Sequence, residues 1–168
     1  MVNIKATVIS WPNQYGVKQF DDYLKTLQNR AQRSHNDAVK FAFVLNAIDF
    51  MRFVSLDMLP QNEEERFMAE LKIELGGKTY SQSFRLIKPL RKENIYELRI
   101  DFSEKFYWRF RTIFFPYVHN GDLFHCFVFP FEKTQQVKFN LTDHFRDKAF
   151  ALYHDLQNDP GKYVNCFE

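Results

Sequence analysis

The octapeptide Ile95-Tyr96-Glu97-Leu98-Arg99-Ile100-Asp101-Phe102 constrains the fold more than any other stretch of the chain. From Tyr96 onward apolar and charged residues alternate strictly, which is the period of a strand buried on one face. As a strand it places Tyr96, Leu98, Ile100 and Phe102 on a core face and Glu97 and Arg99 on the other. The next run, Phe106 to Phe114, puts Arg109 and Arg111 on a shared face by the same rule. Phe124-His125-Cys126-Phe127-Val128-Phe129 reads as a buried strand, and Asn120-Gly121 ahead of it signals a hairpin turn. An antiparallel meander follows, with strands near 84–87, 95–102, 106–115 and 123–129.

The first half is patterned differently. Ile4 to Trp11 predicts one strand, ended by Pro12-Asn13. Val17, Phe20, Leu24, Leu27 and Ala31 recur at three- and four-residue spacing, an amphipathic helix. Ser34, with Asp37 three residues on, is placed to cap a second helix with the stripe Phe41, Val44, Leu45, Ile48 and Met51. Asn62 followed by Glu63-Glu64-Glu65 predicts a short third helix carrying Phe67, Met68 and Leu71 and stopped by Gly76-Gly77. Thr142 is placed to cap a last helix with Phe145, Ala149, Leu152, Tyr153 and Leu156, closed by Pro160-Gly161. The expected class is α+β in one domain of 168 residues: strand and helices to about 75, a sheet core over 84–138, and a helix over 142–157.

The twenty Phe supply rings either for the core or for a base-stacking platform. Net charge is only +2, but its distribution is uneven. Residues 84–138 hold ten Lys/Arg against six Asp/Glu, residues 139–168 three against five, and residues 1–83 are balanced. The excess therefore sits on the segment that carries the strand arginines, as a local anion-binding face requires.

Several chemistries are excluded. The five histidines form neither HExxH nor a His-x-x-x-His pair, and Cys126 and Cys166 form no CxxC, so no metal site is expected. Gly-x-Gly-x-x-Gly, phosphate-loop and Gly-x-Ser-x-Gly patterns are missing, so no nucleotide cofactor is expected. Two unpaired thiols, no basic-then-apolar start and no window near 18 apolar residues predict a cytoplasmic protein without a membrane span. Arg109 and Arg111 have two readings: half of a phosphate clamp with Arg99, or cross-strand partners of Glu97, Asp101 or Glu132. His125, inside an apolar run, reads as a hydrogen-bonded structural residue.

The order of motifs carries more. Ile87-Lys88-Pro89-Leu90, then Ile95-Tyr96-Glu97-Leu98-Arg99, then Phe110-Arg111-Thr112-Ile113-Phe114-Phe115, then Leu123-Phe124-His125-Cys126-Phe127-Val128 with Glu132-Lys133-Thr134-Gln135, resembles the RelE/ParE toxin superfamily, nearest its HigB-like, phage-derived branch. The resemblance covers roughly residues 84–136. It departs where Phe129-Pro130-Phe131 interrupts the last motif, where Glu132 stands in a lysine position, and in a longer turn at Ser103-Glu104-Lys105.

The resemblance implies a RelE-like fold and a type II toxin that cuts mRNA on the ribosome by 2′-hydroxyl attack. It also implies a cognate helix-turn-helix antitoxin, and a homodimer is compatible with it. Carried over to this chain, Arg99 and Arg111 would stabilise the phosphate and its transition state, with Arg109 assisting. Lys88 or Lys133 would be base or acid, and Tyr96 a further proton donor. Arg91, Lys92 and Lys105, with Arg109, would hold nucleic acid. The alternative is a non-enzymatic interaction protein, either a gyrase-directed toxin or an inactive phage or mobile-element homologue.

Overall fold

Two tight turns set the frame of the sheet. Asn120 and Gly121 both take positive φ, 52° and 82°, and so do Gly76 and Gly77, 59° and 76°. Positive φ at both central residues gives the two-residue hairpin whose twist matches that of its strands. The second of these hairpins replaces an expected helix. Asn62 does accept from the amides of Glu64 and Glu65, as a helix cap would, yet the chain then extends. From Phe67 to Leu75 burial alternates, with Ala69, Leu71 and Ile73 inside and Met68, Glu70, Lys72 and Glu74 outside. Ala69, Leu71 and Ile73 fill one strand face completely, whereas a helix would have buried Phe67, Met68 and Leu71. Met68 is instead 56% exposed.

In the computed structural model, which describes residues 3–133 and 140–168, the chain is α+β. β1 (Thr7–Ser10) leads to α1 (Gln19–Ala31) and α2 (His35–Met51). Five strands follow: β2 (Phe67–Leu75), β3 (Lys78–Pro89), β4 (Tyr96–Phe102), β5 (Trp108–His119) and β6 (Asp122–Lys133). The chain closes with α3 (Leu141–Asn158) and a 3-10 segment, Pro160–Phe167. The sheet order is β1-β6-β5-β4-β3-β2, a meander with β1 added in parallel beside β6. Thr134-Gln135, the end of the last motif, and Lys138 lie outside the described residues. No helix among the described residues is long and apolar enough to cross a membrane.

Helices cover both sheet faces. On one, Phe20 and Leu27 of α1 and Val39, Phe43, Val44, Ala47 and Met51 of α2 join Leu98, Ile100, Phe110, Phe114 and Phe127. The buried side of α2 is turned from the predicted stripe: Leu45 is 45% exposed, while Phe43 and Ala47 go in. α2 packs on both α1 and β2, so its apolar circumference is wider than one stripe. Ser34 does cap it, its hydroxyl accepting from the Asp37 amide.

On the other face Ala149, Tyr153 and Leu156 of α3 pack on Ile113, Phe115, Cys126, Val128, Phe129 and Phe131. β6 reaches both layers through a bulge: Ile113 faces Phe129 but Phe114 faces Phe127, so Val128 is the extra residue. Val128 and Phe129 thereby both turn to the α3 layer. The cap of α3 is Asn140, which accepts from the Asp143 amide, and Thr142 lies inside the first turn rather than ahead of it. The phenylalanines are mostly core, in contacts such as Phe20–Phe127, Phe43–Phe84 and Phe129–Phe145.

Candidate nucleic-acid interface and its charged floor

α3 does not cover its whole sheet face. Towards the end of the sheet bearing Asp101 and Lys133, the apolar floor gives way to charge. Strand register fixes which groups meet: Lys88 of β3 lies opposite Glu97 of β4, Arg99 opposite Arg111 of β5, and Arg109 opposite Lys133 of β6. Glu97 and Arg99 are the residues whose alternation points away from Tyr96, Leu98 and Ile100.

Arg99 and Arg111 face one another directly, an unfavourable like-charge pair unless carboxylates intervene. Glu97 and Asp101, two residues to either side of Arg99, supply them. Arg111 Nε lies 2.5 Å from Glu97 Oε1, and its Nη1 donates to Asp101 Oδ1 at 2.6 Å and to the Phe110 carbonyl at 2.9 Å. Arg111 and Glu97 are each only 2% exposed. The guanidinium is thus a buried tie across β4 and β5, and the cross-strand reading of this arginine describes its geometry.

Arg99 receives what is left. Its Nε is 3.8 Å from Glu97 Oε1 and its Nη2 3.7 Å from Asp101 Oδ2, beyond hydrogen-bond reach; the buried Nε atoms of Arg99 and Arg111 alike make no hydrogen bond among the described residues. Burial, then the neighbouring Arg111, lower its pKa. An arginine stays charged at physiological pH, so this depression expresses burial beside a like charge that Glu97 and Asp101 offset only in part.

Arg99 opens into a cleft of about 220 Å³ between sheet and α3. Lys88, Glu97, Arg99 and Lys133 line it from the sheet, Asn140, Thr142, Asp143 and Arg146 from α3, and Glu63, Leu90 and Arg91 from the loops. Arg91 pairs with Glu63 and Arg146 with Asp143 and Asp147. Lys88 and Lys133 have no carboxylate within ion-pair distance among the described residues. Burial lowers the pKa of Lys133, and Arg111, Arg99 and Lys88 push it the same way against Glu97. Excess positive charge therefore concentrates on three cations from three strands.

The remaining candidates lie elsewhere. Tyr96 is buried on the opposite side of the sheet, stacked on Phe114. Arg109 is exposed beside the cleft, its guanidinium over the Tyr107 ring. Lys92 lies over Phe150 and Lys105 over Tyr80 in the α2 layer. Glu132 also faces that layer, accepting from Tyr23 Oη at 2.8 Å and from Arg30 at 3.1 Å. The carboxylate in the motif's lysine position is thus turned away from the cleft. His125, fully buried, bonds the Val54 carbonyl through Nε2 at 2.8 Å.

The α3 wall had not been anticipated from sequence. Asn140 with Asp143 three residues on is a cap pattern that locates the helix start, but nothing in the sequence says that this start lies over Arg99. Against known proteins, the chain matches no family model, no curated protein and no solved structure.

Proposed function

We propose that this protein cleaves RNA by internal 2′-hydroxyl attack, as a toxin of the RelE/HigB-like kind acting on ribosome-bound message and restrained by a helix-turn-helix antitoxin. The observation that carries this reading is the convergence of Lys88, Arg99 and Lys133 on one cleft, where the two lysines have no carboxylate within ion-pair distance among the described residues and Arg99 reaches Glu97 and Asp101 only at 3.8 and 3.7 Å. A phosphodiester is the anion that such a spread of cations suits, because its charge moves over several oxygens during attack.

The chemistry needs a base, a positive surface and an acid. Lys133, whose pKa burial and its cationic neighbours lower, takes the 2′-hydroxyl proton. The oxygen then attacks phosphorus, and Arg99 stabilises the pentavalent phosphorane. Lys88 gives its proton to the departing 5′-oxygen, leaving a 2′,3′-cyclic phosphate. Arg111 acts through Arg99: its buried ties to Glu97 and Asp101 absorb both carboxylates that would otherwise neutralise the Arg99 guanidinium. Tyr96 has no part, being on the far side of the sheet.

Induced expression with mapping of RNA 5′ ends tests the reading. Growth arrest with codon-linked ends is expected, and Arg99→Ala should lower cleavage by about 10²–10³-fold, the loss typical of one transition-state donor. Arrest with a DNA-damage response and no new RNA ends would transfer the protein to the gyrase-directed class.

A further inference from the structure

The α3 wall of the cleft carries polar groups that the cleavage scheme leaves unused. In its first turn the Asp143 amide is taken by Asn140 Oδ1 and the His144 amide by the Asn140 carbonyl. The amides of Leu141 and Thr142, like all first-turn amides, have no partner within the helix. Thr142 is 8% exposed, lines the cleft, and its buried hydroxyl makes no hydrogen bond among the described residues. A hydroxyl within a helix usually returns to a carbonyl of the preceding turn; one that is buried and unpartnered costs free energy. The one carboxylate of this turn, Asp143, is held by Asn140 Nδ2 at 2.9 Å and Arg146 Nη1 at 3.0 Å. Arg146 thus offsets the charge that would otherwise repel an anion here.

An unpartnered hydroxyl, free amides and a helix N-terminus form a phosphate cradle, and it lies across the cleft from Arg99. We infer that the cleft holds two successive phosphates of one RNA strand, the scissile one at Lys88, Arg99 and Lys133 and its neighbour on the first turn of α3, with Thr142 donating from hydroxyl and amide. This rests on the RNA-cleaving reading and adds a requirement to it: the substrate must carry a phosphate beside the one that is cut.

Calorimetric titration with two probes tests this. Both are 2′-deoxy dinucleosides, which lack the nucleophile; one has only its internal phosphate, and the other carries a further terminal phosphate, used in 5′ and 3′ versions. The wild-type protein should bind one two-phosphate version about tenfold more tightly, the size of one hydrogen bond to a charged group. Thr142→Val, nearly equal in shape and equal in charge, should reduce that preference to threefold or less. Thr142→Ser should restore it, and Arg99→Ala should lose both ligands. A preference unaltered in Thr142→Val, or missing from the wild type while Arg99-dependent binding persists, would overturn the second phosphate position alone. If neither probe binds the wild type, the RNA reading falls with it.

Discussion

Replacing Arg111 by alanine separates folding from function, because the residue is buried and its neighbour Arg99 is partly exposed. In the wild type Arg111 neutralises Glu97, which is 2% exposed, and Asp101, whose side chain is 43% exposed. Removing the guanidinium leaves the Glu97 carboxylate without its 2.5 Å partner, and Arg99 Nε, at 3.8 Å, is its only other cation within ion-pair reach among the described residues. Breaking a buried pair from one side costs about 3–5 kcal/mol. Asp101 adds little, since exposed pairs are worth about 1 kcal/mol at most. The expected loss is therefore about 3–5 kcal/mol. With a urea m-value of ~2–3 kcal/mol/M, the unfolding midpoint should fall by roughly 1 M or more. The double change Arg111→Met with Glu97→Gln removes both charges at similar volume and should recover at least half the loss. Arg99→Ala, at a partly exposed position with only long ion contacts, should move the midpoint far less while lowering cleavage by about 10²–10³-fold. A loss under about 1 kcal/mol for Arg111→Ala would refute the buried-tie argument. So would a double variant less stable than the single one.

Two further outcomes follow from groups outside the cleft. His125 is buried, with its pKa lowered chiefly by that burial. Its charged form is thus favoured in the unfolded chain, so its contribution is fully present above about pH 6.5 and declines as pH falls below it. The thermal midpoint should drop on acidification from pH 7 to 5, and His125→Gln should flatten that dependence; an unchanged slope would sink the argument. Glu132→Ala breaks charge-assisted bonds to Tyr23 and Arg30 on a half-buried group, and should cost about 1–2 kcal/mol in chemical denaturation. Because the side chain faces away from the cleft, RNA cleavage should survive, and a loss of cleavage at unchanged stability would place Glu132 in the chemistry after all.

Local pattern carried the sheet face. The alternation from Ile95 to Phe102 and from Trp108 to Ile113 is short-range and unambiguous, so Glu97, Arg99, Arg109 and Arg111 could be assigned one side before any contact was known. The same rule was present in Ala69, Leu71 and Ile73, but the cap-like Asn62-Glu63-Glu64-Glu65 masked it, because that turn forms the bonds of a helix start without a helix. Which arginine is buried was not legible. It depends on register, which puts Arg111 between Glu97 and Asp101 and leaves Arg99 at longer range, and one residue of slip would carry Arg111 to the other face of the sheet. Nor was the α3 wall: Thr142 is far in sequence from Arg99, and no periodicity encodes the packing of a helix across a sheet.

The parallel pairing of β1 with β6, Thr7 beside Phe124, has a consequence for how the molecule comes into being. The β2–β3 hairpin can zip as soon as its residues exist, but β1 must wait through more than a hundred residues for its neighbour. Such distant closures are entropically late and slow. Lys133 lies at the end of that last strand, and Thr142 lies later still. During synthesis the cations of β3 and β4 are therefore present well before the pocket they line. A chain still being made carries the charges without the site, and any activity of the cleft belongs only to the finished polypeptide.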